Sequence, residues 1–193
     1  MPETLWKPSL VLALYLNRHV PSSRFVQLAT VRADGRPANR TVVFRGFMDD
    51  SPQLTFATNA HSRKVADLGH CPWAEACWYF PVTHEQFRIG GPITLVGDDT
   101  RDRASLDARR ACWRNLADAV RLTYTWPAPD EPRADRVPFP TELPDPEEPL
   151  PQFCLMILDP REVDELELNG HPQNRWQYKR DEHGRWSGAE VNP

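Results

Sequence analysis

Residues 25–47 read FVQLATVRADGRPANRTVVFRGF. Phe25 to Val31 (FVQLATV) and Asn39 to Phe47 (NRTVVFRGF) are rich in β-branched and aromatic residues, and RADGRP between them carries Asp34-Gly35, a dipeptide suited to a tight positive-φ turn. The stretch therefore predicts a β-hairpin. Outward from it, further β-type runs fall at Gln53 to Ala57, Ala74 to Phe80, Glu85 to Val96, Gln152 to Leu158, Val163 to Leu168, Asn174 to Arg180 and Arg185 to Val191. Many antiparallel strands with few helices argue for a mainly β chain closed into a barrel, the arrangement that removes exposed strand edges.

Three helical stretches interrupt the strands. Residues 8 to 18 (PSLVLALYLNR) open on a proline suited to a first turn and predict a short buried helix. A second helix opens at Ser62, and a longer one runs from about Arg103 to Ala119, with Leu106, Arg110, Trp113 and Leu116 at helical spacing. From Pro127 to Pro151 nine prolines and seven acids fall within 25 residues. The remainder after that segment is too short for a second core, so residues 1–193 are expected to form one domain carrying a Pro-rich arm at about 127–151.

Lys and Arg number 23 against 27 Asp and Glu, a net charge of −4, which offers no field of one sign for a polyanion. Nucleic acid is not the expected partner. No apolar run is long enough to span a bilayer and residues 1–20 have no basic leader, so a cytoplasmic protein away from the membrane is expected. Cys71, Cys77, Cys112 and Cys154 form no C-x-x-C pair, so neither a metal site nor a disulfide framework is expected.

The chemistry-bearing feature is His61-Ser62-Arg63-Lys64 ahead of Val65-Ala66-Asp67-Leu68-Gly69. Ser62 suits an N-cap, which puts Arg63 and Lys64 in the first helical turn, where the helix dipole already presents positive partial charge. Free N–H groups, a hydroxyl and two cations at a helix start make a phosphate site, although a solvated pair costs little. Arg40 and Arg45 flank an apolar strand and reach one ligand only if that strand bulges or ends between them; each alternatively pairs with an acid. Gln86 and Arg88 share a strand face, suited to a planar heteroaromatic ring or to cross-strand pairing. No G-x-G-x-x-G, G-x-x-x-x-G-K-[ST] or G-x-S-x-G occurs, Gly90-Gly91 included, so no nucleophile with its base is visible.

In order, NRTVVFRGF, LTFATNAHSRKVADL and CPWAEACWYFPVTHEQFRIGG resemble the FMN-binding core of the pyridoxamine 5'-phosphate oxidase family, and PQNRWQYKRDEHGRWSGAEVNP is similar to its closing hairpin. The resemblance implies an FMN-binding split β-barrel, antiparallel, with peripheral helices. It also implies that Arg40, Thr41, Val42, Val43, Phe44 and Arg45 wrap the flavin and its ribityl chain, with contacts from Ala57 and Thr58. Arg63 and Lys64 hold the FMN phosphate, and Gln86 and Arg175 lie near the flavin; Ser62, from the helix start, and Arg88, from the face it shares with Gln86, are further cofactor-binding candidates. A homodimer with FMN at the subunit interface follows, acting as an FMN-dependent oxidoreductase on an unknown small molecule; the rival is a non-catalytic flavin- or haem-binding dimeric module.

Two family features are missing. The oxidases' Arg-x-His and an upstream flavin-contacting Trp have no counterpart in Glu165-Leu166-Glu167-Leu168-Asn169-Gly170-His171-Pro172. With Asp164, Glu165 and Glu167 where a substrate-phosphate clamp belongs, efficient pyridoxamine 5'-phosphate oxidase activity is not expected unless Arg121, Arg133 or Arg136 substitutes.

Overall fold

The computed structural model describes residues 5–49, 51–133 and 139–193; Arg136 lies outside them. Each β-type run of the sequence forms a strand, with ends moved by at most two residues. β1 (Phe25–Val31) and β2 (Pro37–Phe47) pair antiparallel around the Asp34-Gly35 turn, where Gly35 takes φ 79°. β3 (Leu54–Asn59), β4 (Trp73–Phe80), β5 (Glu85–Val96) and β6 (Phe153–Leu158) complete a ring: the ladder runs β4-β1-β2-β3-β6-β5, and β5 pairs back onto β4. Closing six strands in this way leaves the barrel without a free edge. β7 (Glu162–Glu167), β8 (Asn174–Arg180) and β9 (Trp186–Val191) extend the sheet from the first half of β5.

The barrel forks within β5. Residues 85–90 pair with β7, whereas 93–96 pair with β6 along the same edge. The link from β6 to β7 crosses at Gly90-Gly91-Pro92, where Asp159 N donates to Pro92 O at 2.9 Å and Arg161 N to Gly90 O at 2.8 Å. A Cβ on Gly91 would stand 2.1 Å from the Asp159 carbonyl oxygen, so the Gly-Gly pair that matches no ligand motif is a requirement of the fork.

Alternation places Val26, Leu28, Phe56, Trp78, Phe87 and Ile89 inside the barrel, with Trp78 against Phe44 at 4.9 Å and Phe80 at 5.2 Å. β6 does not alternate, because both of its faces are covered: Met156 and Leu158 join the barrel core, while Leu155 and Ile157 pack with Val96 beneath an outer helix.

The helices depart from expectation in three respects. α1 (Lys7–Leu16) buries Leu10 and Ala13 but exposes Val11, Leu12, Tyr15 and Leu16, so it is half-buried rather than buried. α2 (Arg63–His70) starts where expected, yet Ser62 makes no side-chain cap: its hydroxyl meets Thr58 Oγ1 at 3.1 Å. The long third helix is two, α3 (Arg103–Arg114) and α4 (Asp118–Leu122), followed by a 3₁₀ turn at Thr123–Thr125. The break allows Trp113, Leu116, Tyr124 and Phe153 to form a second core.

Arg121 closes that break. Its buried guanidinium donates to the carbonyls of Trp113, Arg114 and Leu116 and pairs with Asp118. It satisfies the open carbonyls at the end of α3, so it is not free to clamp a substrate anion. Arg109 does similar work, donating to the carbonyls of Leu150 and Phe153. The described part of the Pro-rich arm is fastened to α3 as well, through Trp113 Nε1 to Asp145 O at 2.9 Å and Arg114 to Glu147 at 2.8 Å. Among the described residues no helix is long and apolar enough to cross a membrane.

Candidate functional site

α2 closes one end of the barrel, burying Leu68 and bringing its first turn beside the ends of β2 and β3. Lys64 Nζ donates to Thr58 Oγ1 at 3.0 Å, and Thr58 in turn meets Ser62. Burial, and then the Arg40 guanidinium, hold the Lys64 ammonium below the usual lysine range, with Asp130 and Asp67 opposing. No acidic residue stands in the first turn of α2. Arg63 reaches outward, its side chain 79% exposed, and meets Asp130 of the arm at 3.3 Å.

Arg40 sits at the same barrel end but is already engaged. It lies on the inward-facing side of β2, and its guanidinium donates to Leu28 O (3.1 Å), Thr30 Oγ1 (2.7 Å) and Asp67 Oδ2 (3.2 Å). The acid-paired alternative therefore describes Arg40. Val42 and Phe44 also point into the core, which leaves Thr41, Val43 and Arg45 to present side chains outward from β2. Ala57, half-buried, faces outward from β3, whereas Thr58 is buried.

The bulge that the two arginines require is present. Phe44 pairs with Phe56 and Gly46 with Thr55, so Arg45 is the extra residue between them. Its Nε is buried without a hydrogen-bond partner. Arg45 lines a cavity of ≈ 320 Å³ between the bulge and α3, with Arg24 and Asp49 as the other charged groups and Phe47, Cys112 and Leu155 among the walls. Arg24 carried no sequence signal as a site residue, since only the pairing of β1 with β2 brings it beside the bulge.

Gln86, Arg88 and Arg175 lie elsewhere on the outside of the sheet. Thr41 pairs with Gln27, Gln27 with Cys77, Cys77 with Arg88 and Arg88 with Asp164, so these residues form one row across five strands. Thr41 and Arg88 are three ladder steps apart, about 14 Å at the usual strand spacing. Arg88 holds Glu75 through two contacts of 2.9 Å, and Arg175 holds Asp164 at 2.7 and 3.0 Å; the four line a shared cavity of ≈ 230 Å³. Exposed Phe25, Val31, Trp73 and Tyr79 belong to the same outer face.

The acids of β7 divide between the two faces. Asp164 points out and is neutralised by Arg175, whereas Glu165 and Glu167 point in, close to Glu85. The expected acidic wall of Asp164, Glu165 and Glu167 facing a substrate phosphate is thus not built, because the strand's alternation turns Glu165 and Glu167, two of the four carboxylates of β7, inward. Burial pushes Glu165 up to about 7; hydrogen bonds with Tyr178 and Ser9 oppose the rise, and Glu85 and Glu167 add to it. An unfolded glutamate ionises near 4.5, so the stability this group contributes is complete below that pH and is lost as pH climbs towards 7. Glu165→Gln is therefore expected to exceed the parent by up to about 3 kcal/mol at pH 8 and to match it at pH 4. Urea unfolding at both pH values checks this, and an equal difference at both would refute it.

Residues 3–97 match the family model described as pyridoxamine 5'-phosphate oxidase, FMN-binding domain. Over 191 residues the chain is 38% identical to pyridoxine/pyridoxamine 5'-phosphate oxidase 2 of Arabidopsis thaliana, covering 97% of this chain and 96% of that one. The chain belongs to the pyridoxamine 5'-phosphate oxidase family. A crystal structure of a pyridoxamine 5'-phosphate oxidase-related, FMN-binding protein of Nostoc punctiforme superposes with a TM-score of 0.96 at 48% identity, over 100% of both chains. PhzG of Burkholderia lata shares the fold, with a TM-score of 0.76 at 21% identity over 98% of this chain and 91% of that one. The split β-barrel of the family is thus the architecture of this chain, and its family-model match ends at Val96-Gly97, where β5 ends.

The residues of this family member fit an anionic flavin nucleotide. A helix start with two cations and no acid suits a phosphate, and an arginine with a buried, unpartnered Nε at a bulge suits a polar ring edge.

Proposed function

We propose that the chain is one FMN-binding domain that works as a homodimer, an FMN-dependent oxidoreductase acting on a small molecule. The observation that carries this reading is the α2 start: Lys64 meets the linked Thr58 and Ser62 hydroxyls, and Arg63 stands beside it in the same first turn, where the helix dipole adds to their charge. These groups bind the FMN phosphate. Thr41, Val43 and Arg45 lie along the ribityl chain and ring, with Ala57 beside them, and Arg45 Nε gains its missing acceptor there. Bound FMN supplies the redox chemistry, and the protein supplies binding, orientation and hydrogen bonds.

The second copy enters through distance. Gln86, Arg88 and Arg175 stand across β1 and β4 from Thr41, so they serve the flavin of the opposite protomer when the outer faces pack together. That packing also covers Phe25, Trp73 and Tyr79. Titration with FMN is expected to give yellow protein with about one flavin per chain, and light scattering a dimer. Protein that stays colourless in excess FMN refutes the flavin reading, and an FMN-loaded monomer refutes the shared site.

The full-length relative's name points to vitamin B6 phosphates, yet the loop between β7 and β8, residues 168–173, contains neither arginine nor lysine. A phosphorylated pyridine needs donors apart from those holding FMN. We therefore expect turnover of pyridoxamine and pyridoxine 5'-phosphates below about 1 per second, the low end of ordinary enzymes. Peroxide release from FMN-loaded protein under air measures it, and faster turnover overturns this expectation.

A further inference from the structure

Among its described residues, the Pro-rich arm touches the phosphate end of the site at one charged group, Asp130. Asp130 lies 3.3 Å from Arg63 Nε and opposes the lowering of the Lys64 pKa, so one carboxylate addresses both cations at the start of α2. Its backbone has φ 70°, a left-handed conformation that side chains other than Asn, Asp and Gly adopt reluctantly. The neighbouring arm residues have attachments of their own: Trp126 packs edge-on against Phe139 at 5.2 Å, and Arg133 lies over the same ring. Farther along, Asp145 and Glu147 are tied to α3. Asp130 stands four residues after Trp126, with its carboxylate on Arg63.

We propose that Asp130 is an internal stand-in for the ligand phosphate, a carboxylate that holds Arg63 in the flavin-free chain and is displaced when FMN enters. The proposal rests on the phosphate reading of Arg63 and Lys64. A carboxylate and a phosphate dianion cannot share one guanidinium without like-charge repulsion, so binding releases Asp130 and loosens the arm segment that carries it. The arm thereby reports cofactor occupancy and weakens FMN binding by the strength of one exposed ion pair.

Asp130→Asn tests this with little backbone disturbance, since Asn tolerates the same left-handed conformation. The variant is expected to bind FMN roughly two- to fivefold more tightly than the parent, the range of an exposed ion pair expressed as affinity. Riboflavin affinity should not change, and the gain should fade at about 1 M salt, where the screening length is short. Trypsin cleavage after Arg133 in the parent should accelerate on saturation with FMN. Parent protein that binds FMN no better than riboflavin refutes the phosphate reading itself. A parent that does prefer FMN, combined with unchanged or weaker FMN binding in Asp130→Asn, or with FMN protecting Arg133 from trypsin, overturns the displacement and leaves the phosphate site standing.

Discussion

Replacing Gly91 with alanine is expected to remove on the order of 4 kcal/mol or more of stability, a large part of what a domain of this size has. The added methyl would lie 2.1 Å from the Asp159 carbonyl oxygen, 3.0 Å from its carbon and 3.2 Å from Arg161 N, all main-chain atoms of the β6–β7 link. Those atoms cannot move independently. Asp159 N and Arg161 N are hydrogen-bonded to the carbonyls of Pro92 and Gly90, so moving the link also breaks the ladder at the point where β5 changes partners. Gly90→Ala provides the control, because the atoms nearest its methyl belong to the Glu162 side chain, Cγ at 3.0 Å, which can swing into solvent. Denaturant unfolding of the two variants should separate them clearly. A Gly91→Ala protein within about 1 kcal/mol of the parent would show that the crossing is looser than the structure has it.

Removing the cations at the start of α2 is expected to have the largest effect on cofactor binding. Lys64→Ala and Arg63→Ala should each weaken FMN by roughly 1.5 to 3 kcal/mol, the range for hydrogen bonds to charged groups. Lys64 belongs at the upper end, because it is partly withdrawn from water and held by Thr58, so its charge meets a ligand with less screening. Arg63, 79% exposed and already paired with Asp130, belongs at the lower end. Riboflavin, which lacks the phosphate, should bind parent and variants alike and more weakly than FMN binds the parent. Calorimetric titration with both ligands decides it, and equal affinity of the parent for FMN and riboflavin would remove these residues from phosphate binding.

The strands were legible in the sequence because alternation is a local signal. A period of two, broken by Asp34-Gly35 and similar turns, marks a strand wherever its neighbours lie, and even unalternating β6 was readable as a short apolar run. The start of α2 was equally legible, since two cations after a serine are out of place at a positive dipole in any fold. Helix ends were less so. Nothing local announces that the third helical stretch breaks after Asn115, because the break is stabilised by Arg121 reaching back to carbonyls that only the turned chain presents.

The sequence by itself determined the strand set, the hairpin and the pair of cations at a helix start, all properties of neighbours along the chain. Tertiary structure alone decided what each charge faces. Arg40 and Arg45 look equivalent on one strand, yet barrel closure turns Arg40 onto Asp67 of α2, while a bulge swings Arg45 into the cavity beneath α3. Of the acids on β7, Asp164 is held by Arg175 outside, whereas Glu165 and Glu167 turn to the opposite face beside Glu85. Asp130, 67 positions beyond Arg63, meets it only because the arm returns across the barrel end. Charge interactions depend on distance through space and on burial, and neither is encoded in spacing along the chain.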